Sequence, residues 1–216
     1  MAWTTPTTVS AGDVLTADRY NQDTVSNAFM GRAVYANEAA RDAAITAPEE
    51  GMICYLTAPT VPAATGGTTA LPSGITTIYN GSVWVCVTEV GTFTSNGGTT
   101  TSVSYTTSLS GSPGTNPSVT LVTGTTVLVC INIGLSYNSS GSGAKYCAVS
   151  VSGASTVSAS DNYAWVWEGG LQGIGNCSTV ILTGLTAGTN TFTLNYKTTG
   201  GTGLFQNRGL IVKGIA

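Results

Sequence analysis

Apolar and polar residues alternate with a period of two through most of the second half of this chain. Segments 118–122, 125–133, 144–152, 163–167, 177–182, 191–198 and 204–212 each read as strands. Turn residues such as Thr123-Gly124, Ala187-Gly188 and Gly200-Gly201 separate them. Short strands at this spacing predict an all-β sandwich or barrel. On 125–133, Val127, Val129, Ile131 and Ile133 share one face, while Leu128, Cys130 and Asn132 share the other. A sandwich strand needs only one apolar face, so the second is expected to lie beneath a neighbouring subunit.

The first half follows a different pattern. Residues 1–10 read as an extended arm rich in Thr and Pro. Thr16 is placed to cap a helix running to about Met30, with Asp18 in its first turn, where the helix dipole favours an anion. Tyr20, Val25, Ala28 and Phe29 make a narrow apolar stripe on that helix. Such a stripe suits packing on symmetry mates or a foreign surface, and lying on its own domain is the plainer alternative. Val34-Tyr35 predicts a short strand, Asn37 the cap of a helix over 38–45, and 51–56 another strand. A loop of Pro, Gly, Thr and Ala over 58–74 looks too polar and broken for core. Beyond it, Asn80-Gly81 predicts a hairpin between strands 75–79 and 82–87. The expected organisation is therefore an arm and attachment helix over 1–33, a small helix-and-hairpin module over 34–90, and a β-sandwich over 91–216.

Charge sharpens this division. Asp, Glu, Lys and Arg make up 8% of the chain, against about 25% in ordinary soluble domains, and Val90 to Ala144 carries none. With so few ions, much of the surface is expected to be covered by sister chains or a larger assembly. A net charge of −3 and the absence of a basic patch argue against nucleic acid as a partner. The N-terminus lacks a basic, then apolar, export signal. No apolar run approaches the roughly 18–20 residues of a bilayer span, so no membrane span is expected. Five cysteines without CxxC spacing read as buried free thiols, with one or two disulfides or an intersubunit bridge as the alternative.

Trp3-Thr4-Thr5-Pro6, Ala11-Gly12-Asp13-Val14-Leu15-Thr16-Ala17 and Tyr20-Asn21 together resemble the N-terminal segments of small virion proteins of tailed bacteriophages. These are minor tail, fibre or head-decoration proteins. Arg41-Asp42-Ala43-Ala44-Ile45, Pro48-Glu49-Glu50-Gly51-Met52 and Tyr79-Asn80-Gly81-Ser82-Val83-Trp84-Val85 are similar to a linker module recurring in such fibres. The β region resembles, more distantly, trimeric jelly rolls of phage appendages and tumour-necrosis-factor-like proteins. What the resemblance implies is a jelly-roll-like homotrimer in the virion, assembled in the host cytoplasm, with capsid or tail proteins as partners. Extended shaft repeats of long tail fibres are absent.

Candidate chemistry is sparse. Without histidine, a Ser/His/Asp triad or a Cys/His zinc set cannot be built, and neither catalysis nor a cofactor or metal is expected. Trp3, Tyr20, Val25 and Phe29 are the candidates for attachment to the particle, since each buries roughly 1.5–3 kcal/mol of apolar surface when fully covered. The second constellation is Tyr163, Trp165 and Trp167, which a strand would aim to one side, bracketed by Asp161 and Glu168. Exposed, the rings could stack on sugars with help from Asp161, Asn162 and Glu168; buried, they belong to the core or a trimer axis. The expectation is a non-enzymatic structural protein, a decoration, fibre or minor tail component, with a host-glycan adhesin as the alternative.

Overall fold

The computed structural model describes residues 33–140, 143–168 and 176–216. In chain order its elements are β1 (Ala33–Tyr35), α1 (Glu38–Ala44), β2 (Ile53–Leu56), β3 (Ala63–Thr65), β4 (Thr68–Ala70), β5 (Ile75–Tyr79), β6 (Trp84–Cys86), β7 (Val90–Thr94) and β8 (Gly98–Thr100). Then come β9 (Ser118–Thr123), β10 (Thr126–Ser140), β11 (Lys145–Gly153), β12 (Trp165–Trp167), β13 (Asn176–Thr183), β14 (Gly188–Thr198) and β15 (Thr202–Ile215). The protein is mainly β, an antiparallel sandwich of jelly-roll-like topology with a small sheet and helix before it.

A front sheet runs β13-β10-β15-β7-β4 with β8 beside β15, and a back sheet runs β12-β11-β14-β9-β3. From β9 to β11, and again from β12 to β15, each successive strand lies in the opposite sheet. That crossing gives the jelly-roll-like path. Val127, Val129, Ile131 and Ile133 turn inward, as their shared face requires, and meet Cys147, Val149, Leu194, Phe192 and Tyr196 of the back sheet. All are fully buried. Gly200-Gly201, one of the turn signals between strands, carries the chain from the back sheet to the front one. Turn chemistry alone does not distinguish a hairpin from such a corner.

The small sheet has the order β1-β2-β5-β6. Asn37 caps α1 as its sequence predicts, its Oδ1 accepting the Ala40 N–H at 3.0 Å. One face of the helix carries Arg41, which is 5% exposed and lies 4.7 Å over the Trp84 ring. Asn80-Gly81 does connect β5 to β6, but as part of a four-residue loop in which Asn80 Oδ1 accepts the Ser82 and Val83 N–H groups. Gly81 takes φ +85 there, a conformation that a side chain would strain.

Residues 58–74 are not the plain loop their composition implies. β3 pairs with β9 at the edge of the back sheet, and β4 pairs with β7 at the edge of the front sheet. Three-residue Ala/Thr strands suffice at an edge, where only one side needs pairing. This strap belongs to both layers. Position 90/91 falls inside β7, and Leu56, Ile75 and Cys86 share one core cluster with the sandwich strands. Gly214 makes the junction close: a Cβ there would lie 2.5 Å from the Cys86 carbonyl oxygen and 2.6 Å from Val85 Cγ1.

Candidate functional site

The four residues expected to attach the chain, Trp3, Tyr20, Val25 and Phe29, lie outside the described residues. The structure parts the rings of the second constellation from its acidic residues. Tyr163 ends a 3-10 turn over Asp161–Tyr163, so the regular strand begins only at Trp165. Trp165 is 2% exposed and sits in the core, with Tyr163 and Trp167 packed half-buried against it. Trp165 therefore cannot stack on a sugar, and the buried alternative is the one that this ring satisfies. Val166, pointing the other way, is the exposed residue of β12. Glu168 is exposed beyond the strand and takes no part in the Asp161 contacts.

Asp161 belongs to a different group. Its carboxylate accepts the Tyr105 hydroxyl at 2.9 Å and pairs with the Lys197 ammonium at 2.7 Å. Register on the back sheet places Tyr146 opposite Lys197, and the ammonium lies 4.6 Å from the Tyr146 ring centroid and 4.9 Å from that of Tyr105. The Lys197 bond holds the Asp161 carboxyl below its ordinary range, with the Tyr105 hydroxyl acting in the same direction. For Tyr105, burial pushes the phenol upward and the Asp161 carboxylate adds to it. Each charge already has its partner, so the group is a pin holding the 101–117 segment to the back sheet. Acid–base chemistry has no free member here. Along the same outer face, hydroxyls bond in pairs: Ser118 with Thr193 at 2.9 Å and Thr120 with Thr191 at 2.8 Å.

The outer face of the front sheet has the opposite character. Its rows follow from register: Cys177, Asn132, Gly209, Phe93 and Thr68 lie side by side, and Ile211 lies between Cys130 and Gly91. Ile181 and Leu128 are direct cross-strand neighbours. Ile181 is 62% exposed, Ile211 43%, and Phe93 and Ile215 each 41%. Lys213 is the one charged side chain that the described strands place on this face. A shallow depression of about 200 Å³ runs between Phe93 and Ile211, with Gly91, Gly209, Asn132 and Thr68 around it. Gly209 leaves room that intrachain packing does not demand, since a Cβ there would make only ordinary contacts, 3.4 Å from Asn132 and 3.6 Å from Phe93.

Alternation on 125–133 pointed to this face through Leu128 and Cys130, but Phe93, Ile181 and Ile211 came from strands whose neighbours are set only by topology. Two of the cysteines depart from the buried-thiol reading. Cys130 and Cys177 form a disulfide on the outer face, while Cys54, Cys86 and Cys147 are buried free thiols. Among the described residues, no group of three or more Cys, Asp or Glu side chains is placed to hold a metal ion.

No protein-family description matches this sequence, and no curated protein matches it. Solved structures with a similar arrangement include the Eiger TNF of S. frugiperda, 11% identical, covering 56% of this chain and 87% of that one at a TM-score of 0.34. The CBM22-1 xylan-binding domain of Paenibacillus barcinonensis Xyn10C is 9% identical over 57% of this chain and 87% of its own, at a TM-score of 0.25. A Podospora anserina GH26-CBM35 β-(1,4)-mannanase is 19% identical over 60% of this chain but 28% of its own, at 0.28. At such identities and scores, these neighbours say nothing of what this chain binds or does.

Proposed function

We propose that this chain is a non-enzymatic structural protein of a tailed-phage particle, a homotrimer assembled through the outer face of the front sheet. The carrying observation is that face: Phe93, Ile181, Ile211 and Ile215 stand exposed on one side of a single sheet, with one charge among them. Monomers seldom leave such a patch to water. Sister chains are the occupant that the charge-poor composition favours, because a second copy brings an equally apolar face, and the resemblance of residues 1–90 to virion segments supports the reading that the assembly belongs to a particle. In this reading residues before Ala33 dock the trimer and the back sheet faces outward.

The experiment is sedimentation of the purified protein at micromolar concentration, with and without the paired substitution Phe93→Lys and Ile211→Glu. A trimer that the pair of charges converts to a folded monomer, seen by unchanged circular dichroism, is the expected result. A native monomer, or a variant that stays trimeric, would sink the assignment. A second reading, a host-glycan adhesin, draws on the hydroxyl-lined outer face of the back sheet beside Tyr146. It requires saturable binding to host cells that Tyr146→Ala weakens.

A further inference from the structure

We propose that the Cys130–Cys177 bond is a thiol-operated latch that holds the beginning of β13 to the sandwich and releases it on reduction. Among the described residues β13 is an edge strand, paired on one side only, with β10, from Ile133↔Asn176 to Thr126↔Thr183. Its two ends are anchored unequally. At the far end Leu182 is 7% exposed, Leu185 is 5% exposed, and the Leu185 N–H donates to the Thr125 carbonyl at 3.1 Å. At the near end Asn176, Cys177 and Thr179 are exposed and Ser178 is half-buried, so among the described residues 176–179 no apolar side chain fixes it. The disulfide lies at this weak end, joining strands diagonally because Cys177 stands opposite Asn132 and Cys130 opposite Thr179.

Reagent access is selective. In the single subunit Cys177 stands exposed on the edge strand, at the margin of the face assigned to sister chains, where a small thiol can reach it, whereas Cys54, Cys86 and Cys147 are buried. Burial also pushes the Cys54 and Cys86 thiols up to about 11, and raises that of Cys147, keeping all three protonated and inert. In the opening reaction a low-molecular-weight thiolate attacks one sulfur, forming a mixed disulfide, and a second thiolate displaces the protein sulfur. Two electrons and two protons end on Cys130 and Cys177 as thiols, and the external pair leaves as its disulfide. With the tether gone, the contacts of 176–179 with other described residues are edge hydrogen bonds to β10, as in the kind of segment that opens locally while the rest stays closed. Ile181 rides on β13 beside Leu128, so the latch also sets the breadth of the apolar face; that extension rests on the homotrimer reading.

Hydrogen exchange read by mass spectrometry on the full chain, before and after dithiothreitol, tests the latch. Alkylation of the native reduced protein is expected at Cys130 and Cys177 and not at the other three. Exchange over 176–179 should accelerate about tenfold or more while β9, β11 and β14 stay protected, and the variant carrying Cys130→Ser with Cys177→Ser should match the reduced protein. Alkylation of Cys130 and Cys177 before reduction would overturn the proposal, as would unchanged exchange over 176–179 or a rise spread evenly through the sandwich. Sedimentation of both redox states separates the two readings. A monomer in both states strikes at the trimer and leaves the latch, whereas a dissociation confined to the reduced state supports both.

Discussion

Arg208 is 1% exposed between the two sheets, and its described hydrogen-bond partners are all neutral. Nη1 donates to the Tyr196 hydroxyl at 3.0 Å and to Asn116 Oδ1 at 3.4 Å, and Nη2 donates to the Pro113 carbonyl. Its planar fork ties the 101–117 segment to β14, a geometry that the compact ammonium of lysine cannot copy. Arg208→Lys should therefore lower stability by roughly 1–3 kcal/mol in urea unfolding, since buried acceptors lose partners; an unchanged midpoint would contradict this role. Alternation along 204–212 hides the position, because Asn207 at φ +53 shifts the phase so that Phe205 and Arg208 both face inward. Asp161 lends itself to a pH test. Its carboxyl is lowered in the folded state, so its contribution is present above the unfolded value and lost as pH falls through the folded one. Asp161→Asn should cost less than about 1 kcal/mol at neutral pH, as exposed pairs do, and the gap from the native chain should close at acid pH.

At the scale of elements, what was legible had a local cause. Asn37 announced α1, and the apolar alternation announced β9, β11, β14 and the inner face of β10. The strap was illegible because β3 and β4 acquire strand character only from the sheet edges they join, and nothing in Ala-Ala-Thr or Thr-Thr-Ala records that. The aromatic trio was legible as a group but not as one strand: Trp165 is buried with Tyr163 and Trp167 packed against the same core, yet Ser160 caps a turn at Asp161, so the period of two does not begin until Trp165. One carboxylate ties the strap to the helix. Glu38 accepts the Thr60 N–H at 2.9 Å, the Thr60 hydroxyl at 2.8 Å and the Val61 N–H at 3.0 Å. Burial alone would raise this carboxyl, but those donors outweigh it and the net shift is downward. Its support is thus full above the unfolded value and fades as pH falls through the folded one. Glu38→Ala is expected to cost about 1–2 kcal/mol by thermal or urea unfolding. A smaller loss at pH 7 than at acid pH would refute the assignment.

For the molecule as a whole, the attachment reading makes residues before Ala33 a docking segment and leaves the common core to the sheets that follow. A chain starting at Gly31 should unfold as cooperatively as the full one and fail to join particles; normal incorporation would contradict the attachment reading. A fragment of 91–216 should fare differently, because it lacks β3, β4 and the Leu56, Ile75 and Cys86 part of the common core. Its expected behaviour is aggregation or a loss of cooperative melting, and a native-like spectrum would show that the small sheet is dispensable. Composition showed a charge-poor chain but not which surface would be apolar, since exposure of Phe93 and Ile211 depends on strands far apart in the chain. The strap over 58–74 has a mechanical consequence. Tension arriving from the N-terminal side is divided between the margins of both layers by one continuous length of backbone, so a pull from that side loads the two halves together and resists prising them apart.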